Sequence, residues 1–508
     1  MSSDSPVPEQ SRPLITGAVM AATVMNSLDS TIANVALPHI QGSVSASADQ
    51  ITWVLTSYIV AAAIFTPLTG WLAGRIGRKR LMQISIVGFT VASGLCGLAE
   101  SLSQIVAFRL LQGIFGAALV PMSQAILLDI NPPERHGQAM AVWGMGAILG
   151  PILGPELGGW LTENFTWRWV FYINLPVGVL AFAGMSLLKE GRNPVPQRLD
   201  LFGFAALAIA IGALQLMLDR GQQLDWFSSP EICTEAVVSA LFFYLFCVQM
   251  LTAERPFTQL AIFRNRNFVS CSVFGFFLGV LLFSVLSVLP PMLENLLGYP
   301  VVTTGLVTAP RGIGTLISMV LVGRLIRRVD ARILIFVGMS LNAVALLSMS
   351  GFSLQMDERL VVTSGVIQGL GTGLVFVPLT TLAFATLAPS LRNEGSAMFT
   401  LIRNIGSSIG ISTLSAMTIR NAAIVHSRLA EGLTPDSPNV QAMGASVDFS
   451  SPSSMLALNG EVTRQATMVS YVDGFWFLFI VTLCAMPLIL LMRSPRRRAA
   501  EPVSVHLD

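Results

Sequence analysis

Charged side chains inside apolar stretches are the residues of this chain that could do chemistry. Five of them stand in such stretches: Asp29, Arg109, Glu156, Arg311 and Arg403. A charge placed in hydrocarbon is costly, so such residues usually face a cavity or pair with one another. The two acids can bind and release a proton, and the arginines can hold a carboxylate or another anion.

Asp29 is the strongest candidate for proton chemistry, because small polar residues surround it in an otherwise apolar run. These neighbours are Asn26, Ser27, Ser30, Thr31 and Asn34. Two interpretations stay open: a structural acid paired with Arg109, or a carboxyl whose protonation changes when water or a cation reaches it.

The composition indicates what must position these groups. The chain has 508 residues, of which 53% are apolar and 11% are charged, whereas soluble domains carry about 25% charged residues. An integral membrane protein is therefore expected. The net charge of +2 excludes the basic footprint of a nucleic-acid-binding protein. Four scattered histidines and five cysteines without a CxxC pair predict no metal site and no cofactor.

The apolar runs predict fourteen membrane-spanning helices, since a bilayer core of about 30 Å needs about 20 residues per span. The predicted spans begin near Leu14, Ile51, Leu81, Gln104, Ala139, Val170, Leu201, Thr234, Phe268, Thr304, Ile333, Leu360, Gly395 and Tyr471. With both termini in the cytoplasm, 21 of the 30 Lys and Arg fall on the inner side and six on the outer side. This asymmetry follows the positive-inside rule.

An internal repeat indicates the architecture. The segment from Gly70 to Arg80 resembles 323–332 at an offset of 253, and Leu111-Gln112-Gly113 recurs as Ile367-Gln368-Gly369 at an offset of 256. We therefore expect two six-helix halves with two inserted helices between them. Parallel halves of this kind are typical of transporters with a substrate site near the midplane.

The expected divisions of the chain follow from the repeat. They are a cytoplasmic tail (1–13), an N-terminal half (14–190), the inserted helices with linkers (191–265), a C-terminal half with an outer loop at 419–470 (266–492), and a cytoplasmic tail (493–508).

Several motifs together resemble the major facilitator superfamily, in particular its fourteen-span drug:proton antiporters of the EmrB/QacA type. The matching segments are Leu28 to Pro38, Gly70 to Arg80, Arg109 to Gly113, Gly146 to Gly159, and Leu214 to Gly221 followed by 224–227. The last of them is most similar to the EmrB branch. The resemblance implies an all-α major facilitator fold of 6 + 2 + 6 helices.

The resemblance also implies roles for particular residues. Acids in the first helix are implicated in proton coupling in this family, which favours Asp29 with Arg109. Glu156 departs from the family pattern, which usually has an uncharged residue there. It is either a second protonatable site or a carboxylate solvated near the end of its helix.

Two motifs are expected to govern conformational change. At the inner ends of the helices, Gly70, Gly77 and Arg78 form part of a gate, with Arg78 paired to Asp129; Gly74 stands where the superfamily usually has Asp. In the fifth span, small residues and prolines predict a close, bent contact between the halves. Those residues are Gly150, Pro151, Gly154 and Pro155.

Substrate recognition is the least specified feature of the sequence. Arg311 and Arg403 either hold the C-terminal half together, through carbonyl groups or Asp473, or bind an anionic substrate. A second set of residues could line an apolar cavity, although such side chains also serve ordinary packing: Met25, Phe115, Trp143 and Phe171.

The function implied is proton-coupled export of lipophilic or amphipathic compounds across the inner membrane, with the proton as the coupling ion. The EmrB-like features also imply a periplasmic adaptor and a TolC-type outer-membrane channel, contacted through 222–231 and 419–470. The alternatives are a dedicated exporter of one metabolite such as a siderophore or fatty acid, a nutrient importer, a respiratory proton-translocating subunit, or a membrane enzyme. The fifth-span motif opposes import, the lack of midplane lysines opposes the respiratory subunit, and the lack of a catalytic motif opposes the enzyme.

Overall fold

A computed structural model of the chain describes residues 12–188, 198–326, 328–434 and 451–492, and in these ranges every regular element is helical. In chain order the α-helices are α1 Arg12–Val44, α2 Ala48–Ile51, α3 Trp53–Phe65, α4 Leu68–Ile76, α5 Arg78–Leu98, α6 Leu102–Gly116, α7 Leu119–Ile130, α8 His136–Asn164, α9 Trp169–Tyr172, α10 Asn174–Ser186, α11 Leu201–Arg220, α12 Pro230–Thr252, α13 Leu260–Arg264, α14 Arg266–Leu297, α15 Val301–Leu325, α16 Ala331–Met349, α17 Glu358–Ala385, α18 Arg392–Glu431 and α19 Pro452–Ala485. Of the predicted tails, only positions 12 and 13 belong to the described residues. The first part of the predicted linker, 191–197, also lies outside them.

Local sequence signals explain where several helices begin. The Ser47 and Gln50 side chains form a capping box at α2, and the Asp200 carboxylate accepts from the Gly203 amide at the start of α11. Between α3 and α4, Pro67 stands at a bend of 58°, as expected where proline removes a backbone donor. Gly77 separates α4 from α5 with φ +89°, a conformation in which glycine lacks the Cβ penalty.

Eleven of the described helical segments are long and apolar enough to cross a membrane, or twelve when the bent pair α3–α4 is taken as one span. The chain is therefore a multi-pass membrane protein. Helices α1 and α18 are more polar, with 33 and 40 residues. They pack within the bundle, α1 against α8 and α10 and α18 against α14 and α19.

Two groups of helices repeat the same packing pattern. In the first group α1 packs on α8, while α6 packs on α3 and α5; in the second, α14 packs on α18, while α17 packs on α15 and α16. We call these the first group (α1–α10) and the second group (α14–α19). Helix α8 also lies against α15 and α17, so it belongs to the interface between the groups.

The inserted helix α11 touches both groups. On the first-group side, the Thr56 hydroxyl of α3 donates to Asp219. On the second-group side, Ser408 of α18 donates to Gln215 over 3.0 Å. The other inserted helix, α12, packs mainly on α11.

The expected outer loop at 419–470 is mostly helical in its described part. Helix α18 continues to Glu431 and α19 begins at Pro452, and His426 hydrogen-bonds Asn459 across them at 3.0 Å. At 1.5 Å per residue, the 40 residues of α18 extend about 60 Å, which is longer than the bilayer core. The sequence missed these extensions because they are polar and give no apolar run.

Glycines allow α8 to approach α1 closely. A Cβ at Gly150 would lie 2.5 Å from the Leu28 amide nitrogen and from the Ser27 carbonyl carbon, both of them backbone atoms that cannot rotate away. A Cβ at Gly158 would lie 3.0 Å from Ile32. The small residues Gly150, Gly154 and Gly158 therefore bring α8 against the α1 segment that carries Asp29, within the first group and not between the halves as the sequence predicted.

We expect Gly150→Ala to lower the thermal unfolding temperature, because the added methyl group must push α8 away from α1. Overpacking of this kind costs about 1–3 kcal/mol. Gly17→Ala on α1 is the matched control, since no other heavy atom lies within 4 Å of a Cβ there. Unfolding of the purified protein in detergent measures both; equal melting of Gly150→Ala and the wild type would contradict the close approach.

Candidate functional site

Asp29 and Arg109 form a buried ion pair inside the first group. Helix α1 supplies Asp29 and α6 supplies Arg109, and both side chains are fully buried. One guanidinium nitrogen of Arg109 donates to Asp29 Oδ2 over 2.5 Å. The pairing that the sequence left open is therefore present in this structure.

Two amides complete the environment of the carboxylate. Gln112 Nε2 and Asn174 Nδ2 donate to Asp29 Oδ1 over 2.8 Å and 3.0 Å. Gln112 also accepts from Arg109 through its Oε1 atom at 2.8 Å. Both carboxylate oxygens are thus hydrogen-bonded, which is how a buried charge is tolerated.

Aromatic rings and a carbonyl group hold the guanidinium. Arg109 Nε donates to the Val54 carbonyl over 3.1 Å, and its carbon Cζ lies 4.2 Å from the Tyr58 ring centre and 5.8 Å from the Phe171 ring centre. The Arg109 Nη2 atom has no acceptor among the described residues. A proton arriving on Asp29 would remove the counter-charge of Arg109, so protonation must be accompanied by rearrangement of this network.

Gln112, Asn174 and Tyr58 are site residues that the sequence reasoning missed. Gln112 stands three residues after Arg109, a spacing that places two side chains on one helix face, and this signal was available. Asn174 interrupts an apolar run in a similar way. Tyr58 carried no such signal, because aromatic residues are common throughout membrane helices.

Glu156 lies at the interface between the two groups. Helix α8 continues for eight residues beyond it to Asn164, so Glu156 does not stand near the end of its helix as the solvated alternative supposed. It is partly buried, and a Cβ at Gly305 of α15 would lie 2.8 Å from its Cγ atom. No ion pair of Glu156 occurs among the described residues.

A cluster of charges joins the groups at the end of the bundle that carries the α4–α5 junction, which we call the basic end. Asp129 of α7 forms ion pairs with Arg78 of α5 and with Arg392 of α18, the latter at 3.6 Å. The sequence predicted the Arg78–Asp129 pair but not the arginine from the second group. The segment that resembles the motif a second time includes position 327, which lies outside the described residues.

Close backbone contacts accompany this cluster. A Cβ at Gly70 would lie 2.9 Å from the Cα of Glu394, and Glu394 accepts from the Gln259 amide at 2.5 Å. Nearby, the Ser396 hydroxyl donates to Gln124 over 2.6 Å across the groups. At the basic end the two groups are therefore in direct contact.

Arg311 and Arg403 lie within the second group, and neither forms an ion pair in the part of the chain that the structure describes. Arg311 is 7% exposed and donates to the Leu282 carbonyl over 3.4 Å. The carbon Cζ of Arg403 lies 5.9 Å from the centre of the Phe376 ring. Asp473, considered as a partner from the sequence, instead accepts from Asn421 at 3.5 Å.

The four apolar candidates for a substrate cavity occupy different places. Trp143 is fully buried and stacks on Phe376 across the interface, with ring centres 5.6 Å apart. Met25 and Phe171 are buried in the first group. Phe115 packs on α5, so closely that a Cβ at Gly88 would overlap its ring. Of the four, the structure places only Trp143 in stacking contact with the second group.

The chain is similar to known proteins over most of its length. The sequence profile of the Major Facilitator Superfamily matches residues 19–411. The chain is 36% identical over 488 residues to the multidrug export protein EmrB of Escherichia coli (strain K12), covering 95% of each chain. It is 34% identical over 487 residues to the fatty acid resistance protein FarB of Neisseria gonorrhoeae, covering 95% of this chain and 96% of that one.

Solved structures agree on the fold. The proton:xylose symporter XylE matches with a TM-score of 0.62 and 13% identity, covering 94% of both chains. The human organic anion transporter MFSD10 matches with a TM-score of 0.56 and 16% identity, covering 94% of this chain and all of that one. At these identities the likeness concerns the fold alone.

We expect Asp29→Leu and Arg109→Leu each to destabilise the protein strongly, because each leaves a buried charge without its partner. Removing one member of a buried pair costs about 3–5 kcal/mol, whereas replacing both by apolar residues is often nearly neutral. The double variant should therefore melt above either single variant in detergent.

The exposed pair Arg464–Glu461 of α19, 2.9 Å apart, provides the control cycle, for which the two leucine substitutions should be additive to within about 1 kcal/mol. A double variant of Asp29 and Arg109 that melts below both single variants would show that the pair does not hold this network together.

Proposed function

The chain belongs to the Major Facilitator Superfamily, and on that premise we propose that it exports lipophilic and amphipathic compounds in exchange for protons by alternating access. It is a transporter rather than an enzyme, and it lies in the inner membrane as a multi-pass protein. The observation that carries the export proposal is the 36% identity, over 95% of both chains, to a multidrug export protein.

The proposed coupling site is Asp29 with Arg109, and the proton is the coupling ion, with no cofactor. The support is physical: Asp29 is a fully buried acid whose only charged partner among the described residues is Arg109. One proton crossing 100 mV contributes about 2.3 kcal/mol, which suffices for a gradient of about 50-fold. Glu156 is proposed as a second protonatable group, because it lies where α8 meets α15.

The proposed gates are the contacts between the two groups. At the basic end the groups are held together at Gly70, Gly77, Arg78 and Asp129. Gly74 stands where the superfamily usually has an acid, and Arg392 supplies a further ion pair, with Asp129. Along α8, four residues are proposed to allow sliding and bending against α1 while the same helix faces α15; they are Gly150, Pro151, Gly154 and Pro155. Closure at one end alternates with closure at the other.

We assign the basic end to the cytoplasm, with both termini there, and count fourteen spans as 6 + 2 + 6. The excess of Lys and Arg on that side supports the orientation. The count follows when the polar helices α1 and α18 are added to the twelve apolar spans. In that arrangement α11 and α12 are the inserted pair.

We further propose a tripartite assembly with a periplasmic adaptor and a TolC-type outer-membrane channel. The helical extensions 419–434 and 451–470, together with 222–231, are the surfaces assigned to the adaptor. Crosslinking from these positions to a coexpressed adaptor tests this assignment, and its absence from all of them would refute it.

A dedicated exporter of one metabolite is the second candidate function. The observation that favours it is the 34% identity to a fatty acid resistance protein, at the same coverage as the multidrug relative. Export of a single amphiphile, with no response to unrelated compounds, would distinguish it from the multidrug proposal.

We expect Asp129→Asn to shift the protein toward states that are open at the basic end, because it removes the shared partner of Arg78 and Arg392. Partly exposed pairs contribute about 0.2–1 kcal/mol each, and two pairs are lost, so the shift should be about two- to thirtyfold. Spin labels at Glu134→Cys and Ser390→Cys, in a chain whose native cysteines are replaced, report the distance distribution across that end.

Asp357→Asn is the control. Asp357 caps the start of α17 and pairs with exposed Arg359, away from the interface. Unchanged distances in Asp129→Asn would contradict the gating role of the cluster.

The coupling proposal is tested in acid-loaded liposomes that contain an internal pH dye. Decyltrimethylammonium and decane-1-sulfonate are suitable probes, because both carry a permanent charge and cannot carry protons themselves. Entry of a probe through the wild type should release protons, whereas Asp29→Asn should lose this release and Asp357→Asn should keep it. Release that persists in Asp29→Asn contradicts the role of Asp29, and no response to any amphiphile contradicts the export proposal.

A further inference from the structure

Arg311, Arg403 and Trp143 stand out because they are hydrogen-bond donors without matching acceptors. The Trp143 side chain is fully buried, and neither its Nε1 atom nor Arg403 Nε has an acceptor among the described residues. Arg311 is 7% exposed and has one long bond to a carbonyl oxygen. Buried donors without acceptors are costly, and native structures contain few of them.

The three side chains belong to one region. Trp143 stacks on Phe376 with the ring planes 12° apart, and the Arg403 guanidinium lies near the same Phe376 ring. Arg311 and the backbone of Arg403 also meet one turn of α14: a Cβ at Gly279 would contact the backbone carbonyl oxygen of Arg403, and the Arg311 guanidinium donates to the Leu282 carbonyl. The region thus includes residues of α8, α15, α17 and α18, of which α15, α17 and α18 also contact α14.

Acids are scarce on the helices that surround this region. Helix α14 has none before Glu294, which is twelve residues beyond Leu282, and α15 has none at all. Helix α18 has none between Glu394 and its last residue, Glu431. The two guanidinium charges are therefore not balanced by the helices that carry or touch them.

The acids on neighbouring helices lie elsewhere. Glu156 of α8 packs against Gly305, six residues before Arg311 and so about 9 Å away along α15. Asp473 of α19 accepts from Asn421. Neither comes within ion-pair distance of Arg311 or Arg403 among the described contacts.

The first group provides the contrast. There the buried Arg109 has Asp29 as counter-ion, with two amides completing the carboxylate's hydrogen bonds. In the first group, the chain therefore balances its buried arginine with an acid of its own. In the second group, Arg311 and Arg403 have no acid within ion-pair distance among the described residues, so an external anion could balance them.

We propose that Arg311, Arg403 and Trp143 form the headgroup site for an amphiphile that carries one negative charge, such as a sulfonate or carboxylate. Guanidinium groups bind such oxyanions through short, paired hydrogen bonds, and the indole adds a neutral donor. Phe376, which stacks on the indole and is nearly buried in this state, would contact the tail once the two groups separate. This inference rests on the proposed export of amphiphiles and specifies the charge of the substrate.

The site should discriminate by charge. Two unbalanced guanidinium groups attract an anion and repel a cation in surroundings with little water to screen them. A decyl chain that ends in a sulfonate should therefore bind, and the same chain that ends in trimethylammonium should not bind at this site.

The test is calorimetric binding of decane-1-sulfonate and decyltrimethylammonium to the full chain in lipid nanodiscs. Arg311→Gln and Arg403→Gln should each weaken sulfonate binding about tenfold or more, since hydrogen bonds to charged groups contribute about 1.5–3 kcal/mol. Trp143→Phe should weaken it less, by about two- to tenfold, because it removes one neutral donor. Arg359→Gln, which changes an exposed arginine, should bind as the wild type does.

Thermal unfolding of the same variants separates binding from a structural role. If the arginines serve the ligand, Arg311→Gln and Arg403→Gln in the absence of probe should melt at or above the wild-type temperature, because each removes an unbalanced charge, which is buried at Arg311 and partly buried at Arg403. A large fall in melting temperature would assign them to the scaffold and overturn the proposal. Sulfonate binding that is unchanged in both variants, or tighter binding of the cation to the wild type, would also overturn it.

Transport in proteoliposomes distinguishes failure of this inference from failure of the proposed function. Proton-coupled movement of the cation with no movement of the sulfonate would leave export standing and refute the anionic site.

Discussion

A buried charge is costly unless it is paired and hydrogen-bonded, and this constraint organises the first group of helices. Asp29 and Arg109 balance each other, with Gln112 and Asn174 completing the carboxylate's hydrogen bonds. Because α1, α6 and α10 all contribute to this network, it fixes how the first group is packed. Any change of protonation at Asp29 must therefore be felt by three helices at once.

Helix α8 connects that network to the rest of the protein. Gly150 brings it against the backbone of α1 just before Asp29, Glu156 lies on α15, and Trp143 stacks on α17. One helix thus contacts the ion-paired segment of the first group and two helices of the second. A movement of α1 relative to α8 would reach the second group without any intermediate element, and the proposed link between proton binding and alternating access rests on this contact.

The sequence predicted much of this and missed particular parts for physical reasons. Apolar runs located the membrane helices, because burial in hydrocarbon leaves a direct compositional signal. The Arg78–Asp129 pair followed from a local motif, whereas the contribution of Arg392 did not, because it depends on how two distant groups dock. The polar ends of α18 and α19 were interpreted as a loop, since helices that leave the membrane lose their apolar pattern. The isolation of Arg311 and Arg403 required knowing which acids lie beside them.

An anionic substrate exchanged for a proton has a distinctive energetic consequence. One anion moving out and one proton moving in transfer two charges per cycle, so a potential of 100 mV contributes about 4.6 kcal/mol, twice the value for a single charge. The decisive measurement is the equilibrium gradient of decane-1-sulfonate in proteoliposomes, with the potential set by potassium and valinomycin at a fixed pH difference. The account predicts a gradient that changes with the potential as two charges require and also with the pH difference. A gradient that ignores the pH difference would contradict proton exchange.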